Sequence, residues 1–482
     1  MAAILTKSRY MAGLVCPRQL WMLCNAKDEL PPVDPATQHL FDQGHEVGRL
    51  AQTLFPGGIA LSEDFKNNIT ETRSKLALRK PLFEAGFSAG RIYSRADILN
   101  PAEDGAWDII EVKSSTKVKD DYVNDVAFQK HCYTLAGIRI RRCYLMLLNP
   151  QYERHGALDA KSIFAIEDIS QKVESAIRGI EDRIESMLRI IDGRCPSSEE
   201  GRSIHSPGEC DAGCWDTLPA NSVFNLYRMG KNARALYDSG IVIMKDVPAD
   251  YELSEHQKIQ VESARSGNVH VDMKNIAAWL RELKYPLQFL DFETINPALP
   301  LFEGMRPFQR VPFQFSLHIM QDDGKLEHYH YLAGKDDPRD EFMKQLKFRL
   351  LATGSIVVYN MSFEKAVLSE TAAAIDGYSD WVNCILPNFV DLIVPFRNFW
   401  YYNPLQQGSN SIKDVLPAMT GRSYSGMEIS EGNDASVKFM SAMYTDMNPA
   451  EREKIRNALL AYCGLDTEAM VLIVRKLEET AK

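Results

Sequence analysis

The sequence predicts an α/β protein of two domains joined by a helical connector. Three observations predict it. The chain has 482 residues, more than one hydrophobic core normally supports. Strand-like apolar runs alternate with helical spacing in both halves, whereas residues 216–285 read as helical throughout. Each half also carries charged residues two apart on a strand, Glu111 and Lys113 in "DIIEVKSS" and Asp291 and Glu293 in "FLDFETI"; at that spacing both members share one face. The domains are accordingly 1–215 and 286–482, with 216–285 connecting them.

Composition narrows the class. Hydrophobic residues make up 45% of the chain and charged residues 25%, proportions of a globular protein. No apolar run of transmembrane length and no secretory pattern at the start are visible, so a cytoplasmic protein without a membrane partner is expected. The net charge of −10 argues against a broad basic coat. It leaves room for nucleic acid, because an acidic metal site meets phosphate through its ions. Nine cysteines, an odd number, read as thiols or metal ligands in a reducing compartment.

The chain opens with "LTKSRYMAGLVCPRQLWM", helical in spacing, with Cys16 at a Cys-Pro step. Far downstream, "GRCPSSEEGRSIHSPGECDAGCWD" gathers Cys195, Cys210 and Cys214 in a loop with little apolar content to order it. One distant and three clustered thiolates suffice for an iron–sulfur cluster or a tetrahedral zinc, with Cys24 as a substitute ligand. The alternative is ordinary free thiols, the reading given to Cys132, Cys143, Cys384 and Cys463. Between these ends, "FDQGHEVGRLAQTLF" is an amphipathic helix carrying His45, and "KPLFEAGFSAGRIYSRADIL" alternates like a hairpin, with Glu84 and Asp97. The Glu111-x-Lys113 strand follows. An acid beside an ammonium can hold a divalent metal and steady a pentavalent phosphate, although such a pair also occurs on plain polar strand faces. "YVNDVAFQKHCYTLAG" is a helix placing Gln129 and Tyr133 on one face, towards a substrate strand or towards water.

The connector holds "SEHQKIQVESARSG", whose Ser and Gln three residues apart fit a capping box. Beyond it, "YPLQFLDFETI", "VPFQFSLHIM" and "KLEHYHYL" form an antiparallel meander. "GSIVVYNMSFEKAVLSE" runs from strand into helix with Glu364 near the junction, and "PNFVDLIVPF" sets Asp391 among apolar residues. "LLAYCGLDTEAMVLIVRKL" is a helix with Tyr462 and Asp466 one turn apart. A buried acid there needs a partner; a metal shared with the strand acids would provide one.

The order Cys, His, Asp, E-x-K, Q-x3-Y and three cysteines over residues 1–215 resembles the RecB-like PD-(D/E)XK nucleases, and most closely the CRISPR-associated branch that carries an iron–sulfur cluster. The resemblance implies a restriction-endonuclease-like α/β core. Asp97, Glu111 and His45 would bind Mg²⁺ or Mn²⁺, Lys113 would position water or stabilise charge, and Gln129 and Tyr133 would align substrate. Cys16, Cys195, Cys210 and Cys214 would hold a 4Fe–4S cluster, with zinc as the alternative; in the family the last three cysteines usually lie closer together.

Residues 286–482 resemble the DEDDy exonucleases, with a ribonuclease H-like mixed sheet and flanking helices. By that resemblance Asp291, Glu293, Glu364 and Asp466 hold two metal ions and Tyr462 orients water. Glu364 stands where that family usually has Asp, with Asp391 as the fallback. The whole chain is similar to an uncharacterised bacterial family that fuses the two modules. The implied function is a two-site nuclease that trims DNA, favoured over RNA, at single-stranded ends, in repair, recombination or defence against foreign DNA. RNA 3′ trimming and an inactive nucleic-acid-binding scaffold are the alternatives.

Overall fold

A computed structural model describes residues 3–482. The architecture is mixed α/β and divides into two compact units, Met1–Thr217 with Pro297–Gln309, and Leu218–Asn296 with Arg310–Lys482. Nearly all of the expected connector thus belongs to the second unit.

Unit 1 contains β1 (Leu5–Thr6), α1 (Lys7–Val15), α2 (Pro17–Asn25), α3 (Pro35–Gln52), β2 (Ile59–Ala60), α4 (Phe65–Lys75), β3 (Leu82–Ala89), β4 (Ile92–Pro101), β5 (Trp107–Lys113), α5 (Asp120–Leu135), β6 (Ile140–Leu148), α6 (Ala160–Ile163), β7 (Phe164–Asp168), α7 (Ser170–Ile177), α8 (Ile180–Asp192) and α9 (Ser198–Arg202). The sheet order is β2-β3-β4-β5-β6-β7, with β1 also on β4. Strands β3 to β5 are antiparallel, while β6 runs parallel to β5 after the α5 crossover. The alternation of "WDIIEVK" sorts its side chains. Ile109 joins the core with Phe128 and Cys132 of α5. Ile110 joins the opposite core with Val47 of α3. Glu111 and Lys113 follow Ile109 onto the α5 face, as the pleat requires.

Unit 2 contains α10 (Lys231–Asp238), α11 (Glu255–Ser266), β8 (His270–Val271), α12 (Met273–Leu280), β9 (Leu287–Ile295), β10 (Val311–Met320), β11 (Leu326–Leu332), α13 (Arg339–Arg349), β12 (Ser355–Val358), α14 (Met361–Ala374), α15 (Ser379–Ile385), β13 (Phe389–Asp391), α16 (Val394–Arg397), β14 (Tyr401–Tyr402), α17 (Ile412–Thr420), α18 (Gly432–Tyr444) and α19 (Pro449–Thr480). The early helices are held here because β8 pairs with β14. Gln260 of α11 also donates to the carbonyl of Asn225 at 2.9 Å. The capping box of α11 forms between Ser254 and Gln257.

The larger sheet of unit 2 has the order β11-β10-β9-β12-β13. Strands β9 to β11 are the antiparallel meander, and β12 and β13 add in parallel. Every position of β10 is buried, which explains why "VPFQFSLHIM" shows little alternation: both faces are covered. Leu290 and Phe292 of β9 enter one core, and Asp291 and Glu293 point to the other face. There lies α19, begun by Asn448 as cap and Pro449 in its first turn. By length and composition α19 is apolar enough to cross a membrane, contrary to the expectation that no such run exists, but 61% of its most apolar window is buried in the fold. Enclosure in a core accounts for that composition.

His318 of β10 stacks on His328 of β11 with ring centroids 4.0 Å apart and lies 2.8 Å from the Thr467 hydroxyl of α19 through Nδ1. Burial, then the neighbouring His328, pushes His318 down to about 4. His330 and Glu468, the latter paired to Arg422, are the other charged or titratable groups around the stack. The folded state therefore binds fewer protons at His318 than the unfolded state between its ordinary value near 6.5 and about 4. This stabilisation is complete above that window and is lost as pH falls through it. His318→Phe should lose less unfolding midpoint than wild type between neutral pH and pH of about 4.5; parallel pH profiles would show that the stack does not titrate.

Candidate active sites and a candidate metal centre

In unit 1, pairing sets three carboxylates in a row. Glu84 and Asp97 lie between the β3–β4 pairs Phe83–Ile98 and Ala85–Ala96, and continuing the β4–β5 register by one residue places Asp97 opposite Glu111. Glu84 itself adopts φ 58°, a left-handed conformation uncommon for a side-chain-bearing residue and found at strained functional positions. Glu111 is 1% exposed. Its Oε1 accepts from Lys113 Nζ at 2.9 Å and from Lys7 Nζ at 2.7 Å, and its Oε2 accepts from Gln129 Nε2 at 2.7 Å. Asp125 of α5 accepts from Lys113 at 2.6 Å and from Gln129 at 3.0 Å.

The electrostatics follow from these contacts. Burial opposes the charge on Glu111, but Lys113 and Lys7 together outweigh it and hold the carboxyl well below the usual range. Asp97 goes the other way: burial, then the charge of Glu111, pushes it up to about 7. Its Oδ2 accepts from the Val112 amide at 2.7 Å. Burial also raises Glu84. These residues, His45 of α3 and Lys113 line one cleft of about 1450 Å³, together with Lys7, Arg49, Arg95, Phe41 and Tyr122. His45 shares the cleft with the acids but does not join a close ligand cluster with them; the clusters among the described residues lie elsewhere.

Gln129 and Tyr133 turn to the sheet rather than to solvent. Both are fully buried. Gln129 holds Glu111 from behind. The Tyr133 hydroxyl accepts from the Ala96 amide at 2.7 Å and donates to the Ala85 carbonyl. It thereby spans β3 and β4 beside the acid row. The helix spacing correctly put the two on one face, but α5 turns that face to the sheet.

In unit 2, Asp291, Glu293 and Cys463 offer ligand atoms within 4.8 Å of one another. Asp466 of α19 and Glu364 of α14 add their charge to the same place. Burial, then Asp466, drives Asp291 well up; burial, then Asp291 and Asp466, does the same to Glu293. Glu364 is 2% exposed, is pushed up by burial and then by Asp291, and its Oε2 has no hydrogen-bond partner. Asp466 is raised to about 6 by burial, against the hydrogen bonds of Tyr424 and Tyr462; the Tyr424 hydroxyl donates to its Oδ1 at 2.6 Å. The nearby cation, Lys413, is 2.7 Å from Glu431. Asp391 is already committed, its Oδ1 accepting from the amides of Asn360 and Ile393 at 3.0 and 3.2 Å. Its place at the end of β13 makes it a loop cap.

The cysteines assemble differently from expectation. Cys16, Cys210 and Cys214 come together with His205, all four ligand atoms lying within 4.8 Å of one another. Cys195 stands outside this set. Its Sγ accepts from Arg18 Nη1 at 3.3 Å and contacts the Pro196 carbonyl. Cys24 is also outside it. Sequence reasoning missed His205, Lys7, Asp125, Tyr424 and Cys463. A signal existed for two of them: His205 sits five residues before Cys210, and Asp125 sits one helical turn before Gln129.

A family profile described as a domain of unknown function, DUF2779, matches residues 288–411. That span includes Asp291, Glu293, Glu364 and Asp391 but ends before Tyr462 and Asp466. The uncharacterized protein MG366 of Mycoplasma genitalium is 28% identical over 225 residues, covering 42% of this chain and 33% of that protein. The uncharacterized protein UU173 of Ureaplasma parvum is 28% identical over 228 residues, again 42% of this chain and 33% of the relative. The chain thus spans about a third of the length of the curated relatives it matches. A solved structure described as that of SSO0001 aligns with 44% of this chain and 88% of its own at 13% identity, with a TM-score of 0.22, too low to stand for a common fold.

Tyr133→Phe removes a buried hydroxyl and leaves the Ala96 amide and Ala85 carbonyl without it. It should cost roughly 1–3 kcal/mol in urea unfolding; an unchanged unfolding free energy would show that this hydroxyl bridge does not hold the two strands.

Proposed function

We propose that this chain is a metal-dependent phosphodiesterase acting on nucleic acid, DNA ahead of RNA, with one acidic centre in each unit. Unit 1 is assigned to the restriction-endonuclease-like PD-(D/E)XK class and unit 2 to the ribonuclease H-like DEDDy class. The observation that carries this reading is Glu364. An unpartnered carboxylate oxygen buried beside Asp291, with Glu293 and Asp466 close by, is costly. Lys413 cannot balance four acids while it also pairs with Glu431. Divalent cations can, and an all-oxygen set suits Mg²⁺ or Mn²⁺.

Asp291, Glu293, Glu364 and Asp466 would hold these ions, which when bound polarise water and the phosphoryl group. The chain's own groups prepare the place. Cys463 is kept a thiol by burial, so its Sγ, 3.5 Å from Asp291 Oδ2, is a hydrogen-bond donor there. Tyr424 fixes one oxygen of Asp466, and Tyr462 hydrogen-bonds the same carboxylate. Tyr462 remains a phenol, its ionisation opposed by burial and by Asp466, and can hydrogen-bond a water.

In unit 1, Asp97 and Glu111, with His45 across the cleft, would hold the ion, and Lys113 supplies fixed positive charge for a phosphoryl transition state. Lys7, Arg49 and Arg95 offer contacts to backbone phosphate. Phe41, 52% exposed, and Tyr122 offer faces on which unpaired bases stack, which favours single-stranded ends. A second reading, binding without turnover in unit 1, is favoured by the two ammonium groups on Glu111, since an ion must displace or accommodate them.

Glu111→Gln and Asp291→Asn test the assignment on end-labelled DNA and RNA with Mg²⁺ or Mn²⁺. Each should lower its own cleavage activity by roughly 100-fold or more, and the double variant should be inert while still binding DNA. A double variant that cleaves like wild type would falsify the proposal. Wild type that binds but never turns over would establish the scaffold reading instead.

A further inference from the structure

We propose that unit 1 carries a mononuclear zinc site made by Cys16, His205, Cys210 and Cys214, in place of the four-thiolate iron–sulfur cluster that the nuclease resemblance implies. The distances decide between them. In a tetrahedral site with metal–sulfur bonds of about 2.3 Å, ligand sulfurs lie about 1.63 times that length apart, or about 3.8 Å. Cys16 Sγ and Cys214 Sγ are 3.7 Å apart, and Cys210 Sγ is 3.2 Å from His205 Nε2. No pair among the four exceeds 4.8 Å. A four-iron cubane sets a separate iron at each ligand, so its thiolates are held too far apart for such contacts.

The donor set agrees. Three cysteines and one histidine are a standard closed zinc set, and the fourth thiolate a cluster would use is turned away, Cys195 being engaged by Arg18. The surroundings have the character of a built site. Cys16 caps α2 by accepting from the Gln19 amide at 3.4 Å, which fixes its Sγ. His205 Nδ1 lies 3.0 Å from the Ser206 carbonyl and 3.3 Å from Trp215 Nε1; Nε2 is a ligand in the tautomer whose Nδ1–H donates to the carbonyl, the usual outer-sphere arrangement of a metal-bound histidine, whereas the Trp215 contact suits the other tautomer. Gly201 leaves the room the ligands need, because a Cβ there would come within 2.4 Å of Cys214 Sγ and 3.5 Å of Cys16 Sγ. Arg18 Nε and Arg202 Nε bind the carbonyls of Ala212 and Cys214 at 3.0 and 2.6 Å, bracing the loop whose sequence has little apolar content.

The site stands apart from the hydrolytic reading and is tested without any activity. The full chain is expressed with iron and zinc both supplied, purified without oxygen, and assayed for metals, acid-labile sulfide and visible absorption. About one equivalent of zinc per chain, with no sulfide and no brown colour, is expected. About four irons with matching sulfide would overturn the proposal, and so would a folded chain with no metal. Cys195→Ser separates the ligand sets even if ligand variants fail to fold. It should keep its zinc, whereas loss of the metal from a folded Cys195→Ser protein would put Cys195 in the site and refute the assignment. His205→Ala, where it folds, should bind zinc at least 10-fold more weakly; unchanged affinity would equally refute it.

Discussion

Burial of carboxylates is the constraint on which both centres depend. A charged acid taken out of water must find a cation, find donors, or take up a proton. In unit 1 Glu111 uses the first two, while Asp97 beside it is pushed up to about 7. Glu111 meets Lys7, Lys113 and Gln129 within hydrogen-bond distance, and its carboxyl is held down. Unit 2 has a thinner supply: the Cys463 thiol beside Asp291, and Lys413, which also pairs with Glu431. Asp291, Glu293 and Glu364 are all driven up, and only Asp466 has a close phenolic donor. The two centres are thus chemically unlike. The first sets its deepest acid between two ammonium groups; the second gathers acids that burial and their own repulsion push up.

Strand pleat turns that constraint into geometry. A strand shows one face of the sheet every second residue, so Glu111 and Lys113 must share the α5 side, and Asp291 and Glu293 must share the α19 side. Neither pair could be partly hidden without the helix opposite being shaped for it. On α5 this gives Gln129 and Asp125, which hold the strand residues. On α19 it gives Cys463 and Asp466, set within a helix whose other buried positions are apolar apart from Tyr462 and Thr467. The same enclosure gives α19 its membrane-like composition.

What the sequence made legible follows from range. The β3–β4 hairpin, β5, α5, the meander, the β12–α14 junction and the α11 cap are written in neighbouring residues, where periodicity and capping chemistry act. The strand acids were legible for the same reason. Lys7 was not, because 104 residues separate it from Glu111 and an early lysine carries no mark of its destination. The orientation of α5 was hidden as well: helix spacing tells which residues share a face but not what that face meets, and Gln129 and Tyr133 met the sheet. The helices of 218–285 read as a connector because their partners, Phe399 and Tyr402, come more than a hundred residues later, on and beside β14.

The cysteines show where counting ligands in a sequence stops being informative. Four thiols spread over about two hundred positions define a cluster only if all four converge. Closing so long a loop costs entropy that grows slowly with length, so separation alone excludes neither Cys16 nor Cys195. Local structure decides. Cys16 is fixed at the junction of α1 and α2 with its sulfur capping a helix, whereas Cys195 lies next to Arg18 of that same helix and is drawn to the guanidinium. His205 fills the position left, being on the same loop as Cys210 and Cys214. A metal at this junction would tie the first two helices to residues 205–214, a segment with few apolar side chains to hold it, so metal binding and local folding there would be one equilibrium.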